Sequence, residues 1–165
     1  VQIKDVCVRH NLKYHLDGAR LWNALIAKNQ DPLVYGQLFD SISVCFSKGL
    51  GAPVGSVLVG SNAFMQKALR VRKVLGGGMR QAGYLAAAAL YALDHHLERV
   101  HDDHKRAKEL GEWLVNCSWV EQVVPVETNI VIFSVKQPLQ DAQVMDAFKK
   151  KGILISQLGA GKLRM

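Results

Sequence analysis

The sequence predicts an α/β chain, in which helices alternate with the strands of a sheet, followed by a small α+β unit. Three observations predict it. Short β-rich runs recur through the first part, separated by segments with apolar residues at helical spacing. The texture changes near Ser118, after which two strand-like runs come before one helix and a last short strand. Finally, 165 residues with 49% apolar and 21% charged side chains suffice for a buried core and exclude a disordered chain.

Taken in order, residues 1–10 read as the end of an amphipathic helix, with Ile3, Val6, Cys7 and His10 on one face. Asn11 is suited to the left-handed position after such a helix. Residues 13–16 form a short strand that ends in Asp17-Gly18, and a helix runs from Ala19 to about Lys28 until Asp31-Pro32 breaks it. Ser41 to Phe46 and Ser56 to Val59 are strands, and the Gly- and Pro-rich segment between them is neither helix nor sheet. Asn62 to Leu75 is a cationic amphipathic helix, stopped by Gly76-Gly77-Gly78. Gln81 to Leu97 is Ala-rich and apolar on nearly all sides, which predicts a buried helix, whereas Arg99 to Asn116 is charged and exposed. Strands at Val123 to Val126 and Asn129 to Val135, a helix from Leu139 to Lys151 and a strand at Ile153 to Ser156 complete the chain. The expected division is residues 1–117 and 118–165.

Charge and cysteine content narrow the classes of function. The chain carries 21 Lys and Arg against 14 Asp and Glu, a net charge of +7 that favours anionic partners. The basic residues are dispersed, and the one cluster, Arg70-Val71-Arg72-Lys73, has no aromatic platform beside it. It reads as a solvated helix face rather than a nucleic-acid surface. No apolar run approaches the roughly 18 residues that a membrane span needs. Cys7, Cys45 and Cys117 are odd in number and have no paired spacing, so the reading is a reducing compartment without disulfides. No signal or transit peptide is visible, and the first residue, Val1, is not an initiator Met. The expectation is a cytoplasmic protein, with the mitochondrion as the second option.

Three features carry chemistry. Asp17 stands at a strand end in His15-Leu16-Asp17-Gly18-Ala19-Arg20, and Lys48 directly follows a β-rich run in a glycine-rich loop. Arg80 follows the triple glycine, and Arg164 lies near the far end. A phosphate loop would place Lys after its last Gly with a helix next, but here Lys48 precedes the glycines and a strand follows. Gly49-Leu50-Gly51-Ala52-Pro53-Val54-Gly55 also has the wrong spacing for a dinucleotide fingerprint. The chemistry left is Schiff-base formation: a Lys amine condenses with pyridoxal phosphate while a carboxylate keeps the pyridine nitrogen protonated. Against it, an Asp-Gly pair reads equally well as a turn and a lone Lys as a solvated side chain.

The segments His15-Leu16-Asp17-Gly18-Ala19-Arg20-Leu21 and Ser47-Lys48-Gly49-Leu50-Gly51-Ala52-Pro53-Val54-Gly55-Ser56 closely resemble those of low-specificity L-threonine aldolases. Gly76-Gly77-Gly78-Met79-Arg80-Gln81, the Ala-rich helix after it and Leu163-Arg164-Met165 are similar as well, so the resemblance covers nearly the whole chain. It implies part of a pyridoxal-phosphate-dependent large domain of the aspartate aminotransferase fold, three-layered with a mostly parallel sheet, then a small α+β domain. By resemblance, Lys48 binds the cofactor covalently, Asp17 pairs with its pyridinium nitrogen, and Ser47 lies near its phosphate. Arg20 resembles an arginine of the cofactor and substrate site, and it and Arg164 hold the substrate carboxylate. Arg80 reaches the phosphate across a subunit interface of a homodimer or homotetramer. His15 matches the motif and is expected to be a packing residue.

The activity implied is a retro-aldol cleavage of L-threonine or L-allo-threonine to glycine and acetaldehyde. Family members are longer. Their preceding region supplies a histidine stacked on the cofactor, a phosphate cup and part of a dimer interface, and they continue beyond Met165. The alternatives are a truncated relative that does not hold cofactor firmly, or another lyase or transaminase of the same fold. A chain of this extent is expected to expose apolar faces and sheet edges. His95, His96, His101, Asp103 and His104 lack metal-motif spacing and read as a solvated helix end, so no metal is expected.

Overall fold

The structure, a computed structural model, describes residues 2–165. They form two compact units, the first ending at Val100 and the second spanning His101–Met165.

In the first unit, α1 (Gln2–Arg9) ends where Asn11 adopts the left-handed conformation, φ 49°, and the Leu12 N–H donates to the Cys7 carbonyl at 2.8 Å. Strand β1 (His15–Gly18) runs parallel to β2 (Ser41–Cys45), and β3 (Ser56–Gly60) pairs antiparallel with the other side of β2. Parallel neighbours need a crossover. It consists of α2 (Leu21–Lys28) and α3 (Pro32–Leu38).

The pleat sorts the paired residues between two faces. Leu16, Gly18, Ile42 and Val44 share one, and His15, Asp17, Ser41 and Ser43 share the other. Leu21 and Leu25 of α2 close the apolar face in a core with Ile42 and Val44. Burial of each such side chain stabilises by about 1.5–3 kcal/mol. That sum fixes the register, because a one-residue slip would turn Asp17 and the serines into the core.

Helix α4 (Asn62–Val74) starts where the Ser61 hydroxyl accepts from the Phe64 N–H, and it ends with Arg72 and Lys73 at the negative pole of the helix dipole. Helix α5 (Gly83–His96) buries Ala92, and its Ala89 and Leu93 pack with it around Phe46, Leu50, Ala52 and Val100.

The second unit is an antiparallel sheet in the order β4 (Val120–Val123), β5 (Ile132–Val135), β7 (Leu163–Arg164), β6 (Ser156–Gln157). Phe133, Val131 and Leu163 form its core with Ala107 and Leu114 of α6 (Val100–Val115) and Val144 of α7 (Asp141–Lys150). Trp119 meets Phe133 and Phe148 edge-on, with ring centroids 6.1 and 6.3 Å apart.

Several elements differ from the sequence reading. Asp31-Pro32 does not only end α2; Asp31 Oδ1 accepts from the Leu33 N–H at 2.8 Å and so caps α3, with Pro32 at its first position. Helix α5 is not buried all round: Tyr84 is 86% exposed and Leu90 and Tyr91 are also open. The helix meets the rest of its unit along a stripe of Ala89, Ala92, Leu93 and His96, while Tyr84, Leu90 and Tyr91 stay open. Strand β4 begins at Val120 rather than Val123, because its ladder with β5 already starts where Val120 pairs with Val135 and continues through Gln122 with Ser134 and Val123 with Phe133. The strand expected at Ile153 to Ser156 is the shorter Ser156–Gln157, and one more strand, β7, follows and pairs with it. The two units divide after Val100, the first residue of α6, whereas the sequence reading divides the chain near Ser118; Ala107 and Leu114 turn the rest of α6 into the second core.

Candidate active site

Because β1 and β2 are adjacent and parallel, their carboxyl ends lie on one edge of the sheet, where ligands of α/β sheets bind. Asp17 stands one residue from the end of β1, paired with Ser43, and Lys48 follows three residues after the end of β2. Asp17, Ser47 and Lys48 are all exposed. The sequence separates Asp17 and Lys48 widely; the parallel pairing brings them to the same edge.

Each is held by its surroundings. Asp17 Oδ1 accepts the Ala19 N–H at 3.1 Å, a turn that fixes the carboxylate at the strand end and leaves further acceptor capacity on its oxygens. Gly18 allows this approach of the strands, since a Cβ there would lie 2.5 Å from the Ser43 carbonyl oxygen. Arg20, half-buried, occupies the position before α2 and therefore lies at the same edge.

The Lys48 loop folds back on itself. The Gly51 N–H donates to the Lys48 carbonyl at 2.9 Å and the Ala52 N–H to the Phe46 carbonyl at 3.1 Å. Gly51 has φ 68°, a conformation that side chains rarely adopt. Leu50 is 2% exposed, so the loop is rooted in the core of its unit while Lys48 projects outward. Beneath it, a Cβ on Gly49 would sit 3.5 Å from Asn23 Oδ1, a buried side chain of α2.

The structure thus brings Asp17, Arg20, Ser47 and Lys48 to one edge. Arg80 is exposed on the turn before α5, beside Gln81 at φ 53°. Arg164 belongs to the second unit, on β7 opposite Ile132, and is half-buried. His15, expected as a packing residue, is exposed, and its Nδ1 shares a 2.9 Å hydrogen bond with the Ser41 hydroxyl.

Sequence reasoning missed two residues of this site. Asn23 gave the signal of a polar residue among the apolar side chains of its helix. His96, grouped there with a solvated helix end, contacts the Lys48 loop instead: its Nδ1 lies 2.7 Å from the Leu50 carbonyl oxygen. Among the described residues no three His, Cys, Asp or Glu side chains are grouped as a metal site requires. In the second unit, burial and then the neighbouring His101 hold His104 below the ordinary imidazole value, with Asp103 opposing them.

A mixed sheet with crossover helices and a Lys-bearing loop at its carboxyl edge defines an α/β enzyme scaffold. The family model for beta-eliminating lyases matches residues 1–138, and the chain belongs to that family. It is 42% identical over 167 aligned residues to low-specificity L-threonine aldolase 1 of Arabidopsis thaliana, with 99% of this chain and 47% of that protein covered. To the low-specificity L-threonine aldolase of Candida albicans it is 41% identical over 140 residues, 85% of this chain and 37% of that protein. A solved structure from Listeria monocytogenes, described as a candidate L-allo-threonine aldolase, superposes with a TM-score of 0.80 at 25% identity, covering 99% of this chain and 48% of that one. The chain therefore spans less than half the length of these relatives. No helix among the described residues is long and apolar enough to cross a membrane.

Proposed function

We propose that this chain carries part of the active site of a pyridoxal-phosphate-dependent aldehyde-lyase that cleaves L-threonine or L-allo-threonine to glycine and acetaldehyde. The observation that carries it is the pairing of β1 with β2, which sets an acceptor-only carboxylate, a primary amine, a hydroxyl and a guanidinium along one sheet edge. Those four groups fit the pyridinium, aldehyde and phosphate of the cofactor and the carboxylate of an amino acid. Membership of the beta-eliminating lyase family and the likeness to named threonine aldolases support the same reading.

When bound, the cofactor supplies an electron sink for the electron pair left on Cα. Every other role falls to side chains. The Lys48 amine would hold the cofactor through its aldehyde carbon, the position that the substrate amino group would take over. The Asp17 carboxylate accepts the pyridinium N–H and keeps that proton in place, which favours the charged ring by direct hydrogen bonding. Arg20 and Arg164 orient the substrate carboxylate through planar, two-pronged hydrogen bonding. The Ser47 hydroxyl and the Arg80 guanidinium hold the phosphate, Arg80 from a neighbouring subunit of a homodimer or homotetramer. A base would accept the proton of the substrate β-hydroxyl as the Cα–Cβ bond breaks and acetaldehyde leaves, and return of a proton to Cα would give glycine.

Acetaldehyde release from L-threonine and L-allo-threonine, measured with added pyridoxal phosphate for the chain and for Lys48→Ala, tests the proposal. Release by the chain that Lys48→Ala abolishes supports it. Absence of release together with a covalent cofactor adduct on Lys48 would instead favour a cofactor-binding relative that does not catalyse.

A further inference from the structure

We infer that His96 is a positioning residue for the Lys48 loop, acting through the Leu50 carbonyl. The inference rests on the reading of Lys48 as the cofactor-binding lysine, but its physical part concerns the loop alone. A carbonyl oxygen only accepts, so the 2.7 Å contact requires a hydrogen on His96 Nδ1. In the neutral ring this places the lone pair on Nε2. The bond is short, and it spans 46 positions of sequence, from the last residue of α5 to the middle of the loop.

Leu50 is consequently gripped twice. Its side chain is packed in the core with Ala92 and Val100, and its carbonyl is tied to His96. The ring also covers the turn, since a Cβ on Gly51 would lie 3.9 Å from His96 Nδ1. Tyr91, five positions earlier on α5, meets the imidazole edge-on, with centroids 5.6 Å apart. The backbone of Lys48 is bonded into the same turn through Gly51 N–H. Such a lysine has to exchange its partner while its main chain stays in place, because displacement of a reacting group by about 1 Å can cost on the order of a hundredfold in rate. The loop glycines alone cannot supply that stiffness.

Three variants and one direct measurement test the inference. Nitrogen NMR of the chain reads the His96 tautomer, and the Nδ1–H form is expected. In His96→Phe, which keeps the ring contact with Tyr91 but removes the donor, the Gly51 and Ala52 amides are expected to exchange with solvent up to about tenfold faster. His96→Asn retains a side-chain N–H close to the position of Nδ1 and is expected to restore most of the protection, whereas His96→Gln, whose amide lies further out, is not. With pyridoxal phosphate added, the cofactor is expected to dissociate from Lys48 faster in His96→Phe and to return towards the parent rate in His96→Asn. An Nε2–H tautomer, or loop exchange unchanged by His96→Phe, would overturn the clamp. Should His96→Phe fail to fold, the tautomer and the Asn and Gln pair still decide. A loop that behaves as expected in a chain whose Lys48 takes no cofactor would overturn the reading of Lys48 and leave the clamp intact.

Discussion

The proximity of the two candidate chemical groups depends on Gly18, and Gly18→Ala tests that dependence. A Cβ at this position would stand 2.5 Å from the Ser43 carbonyl oxygen, 3.2 Å from Leu21 Cβ and 3.4 Å from Ile42 Cγ2. The nearest obstacle is backbone of the neighbouring strand and cannot rotate away. Restoring ordinary contact, from 2.5 to 3.4 Å, needs about 0.9 Å of separation between β1 and β2 at the level of Asp17. Overpacking of this kind costs about 1–3 kcal/mol. Against it, Ala reduces the freedom of the unfolded chain and returns about 0.4–1 kcal/mol. Taken at the middle of each range, the net expectation is a loss of about 1.3 kcal/mol, localised in the first unit. Urea-dependent hydrogen exchange of the β1 and β2 amides, followed peptide by peptide, reads that loss without mixing in the second unit. Cofactor capture by Lys48 should weaken in parallel, since the same displacement moves Asp17 away from the loop. A variant as stable as the parent, with unchanged protection in both strands, would refute the claim that Gly18 sets the strand spacing.

Three further predictions follow from packing, capping and charge. Leu50→Ala should destabilise the first unit by about 2–5 kcal/mol, read as a lower urea midpoint, because it empties the space beneath the Lys48 loop. Asp31→Ala should cost about 1 kcal/mol, with faster amide exchange at the start of α3. Asp40 accepts the Tyr14 N–H at 2.9 Å, with Lys4 and Lys13 nearby, and the backbone bond first and then these cations hold its carboxyl below the ordinary 3.8. A folded-state pKa below the unfolded one contributes stability that is fully present above about pH 3.8 and is lost as pH falls through the lower folded value. The urea midpoint of Asp40→Asn should therefore fall less steeply than that of the parent below this pH.

Much of the first unit was readable because its strands are bounded by strong local signals. Asp17-Gly18 and the glycine-rich loop after Phe46 mark the ends of β1 and β2, and Asn11 marks the end of α1 through its left-handed backbone. What could not be read depends on tertiary contacts or on signals with two meanings. Asp31-Pro32 stops one helix and starts another, and only the 2.8 Å cap to Leu33 reveals the second role. The two-residue strands Ser156–Gln157 and Leu163–Arg164 have no periodicity to detect; they exist because each pairs with a neighbour. Composition made α5 appear buried, yet burial is a property of neighbours, and the helix meets them along one stripe.

The candidate site divides in the same way. Asp17 and Lys48 were identifiable as types of residue in telling places, whereas their shared edge follows from parallel pairing that spacing alone does not specify. His96 was invisible for a related reason. Its partner is a backbone carbonyl, and carbonyls are present at every position of the chain.

The most direct test of the account is borohydride reduction of the chain with added pyridoxal phosphate, followed by mass mapping of the peptides. A phosphopyridoxyl group confined to Lys48 and lost in Lys48→Ala is expected. Label scattered over surface lysines, or none at all, would contradict it.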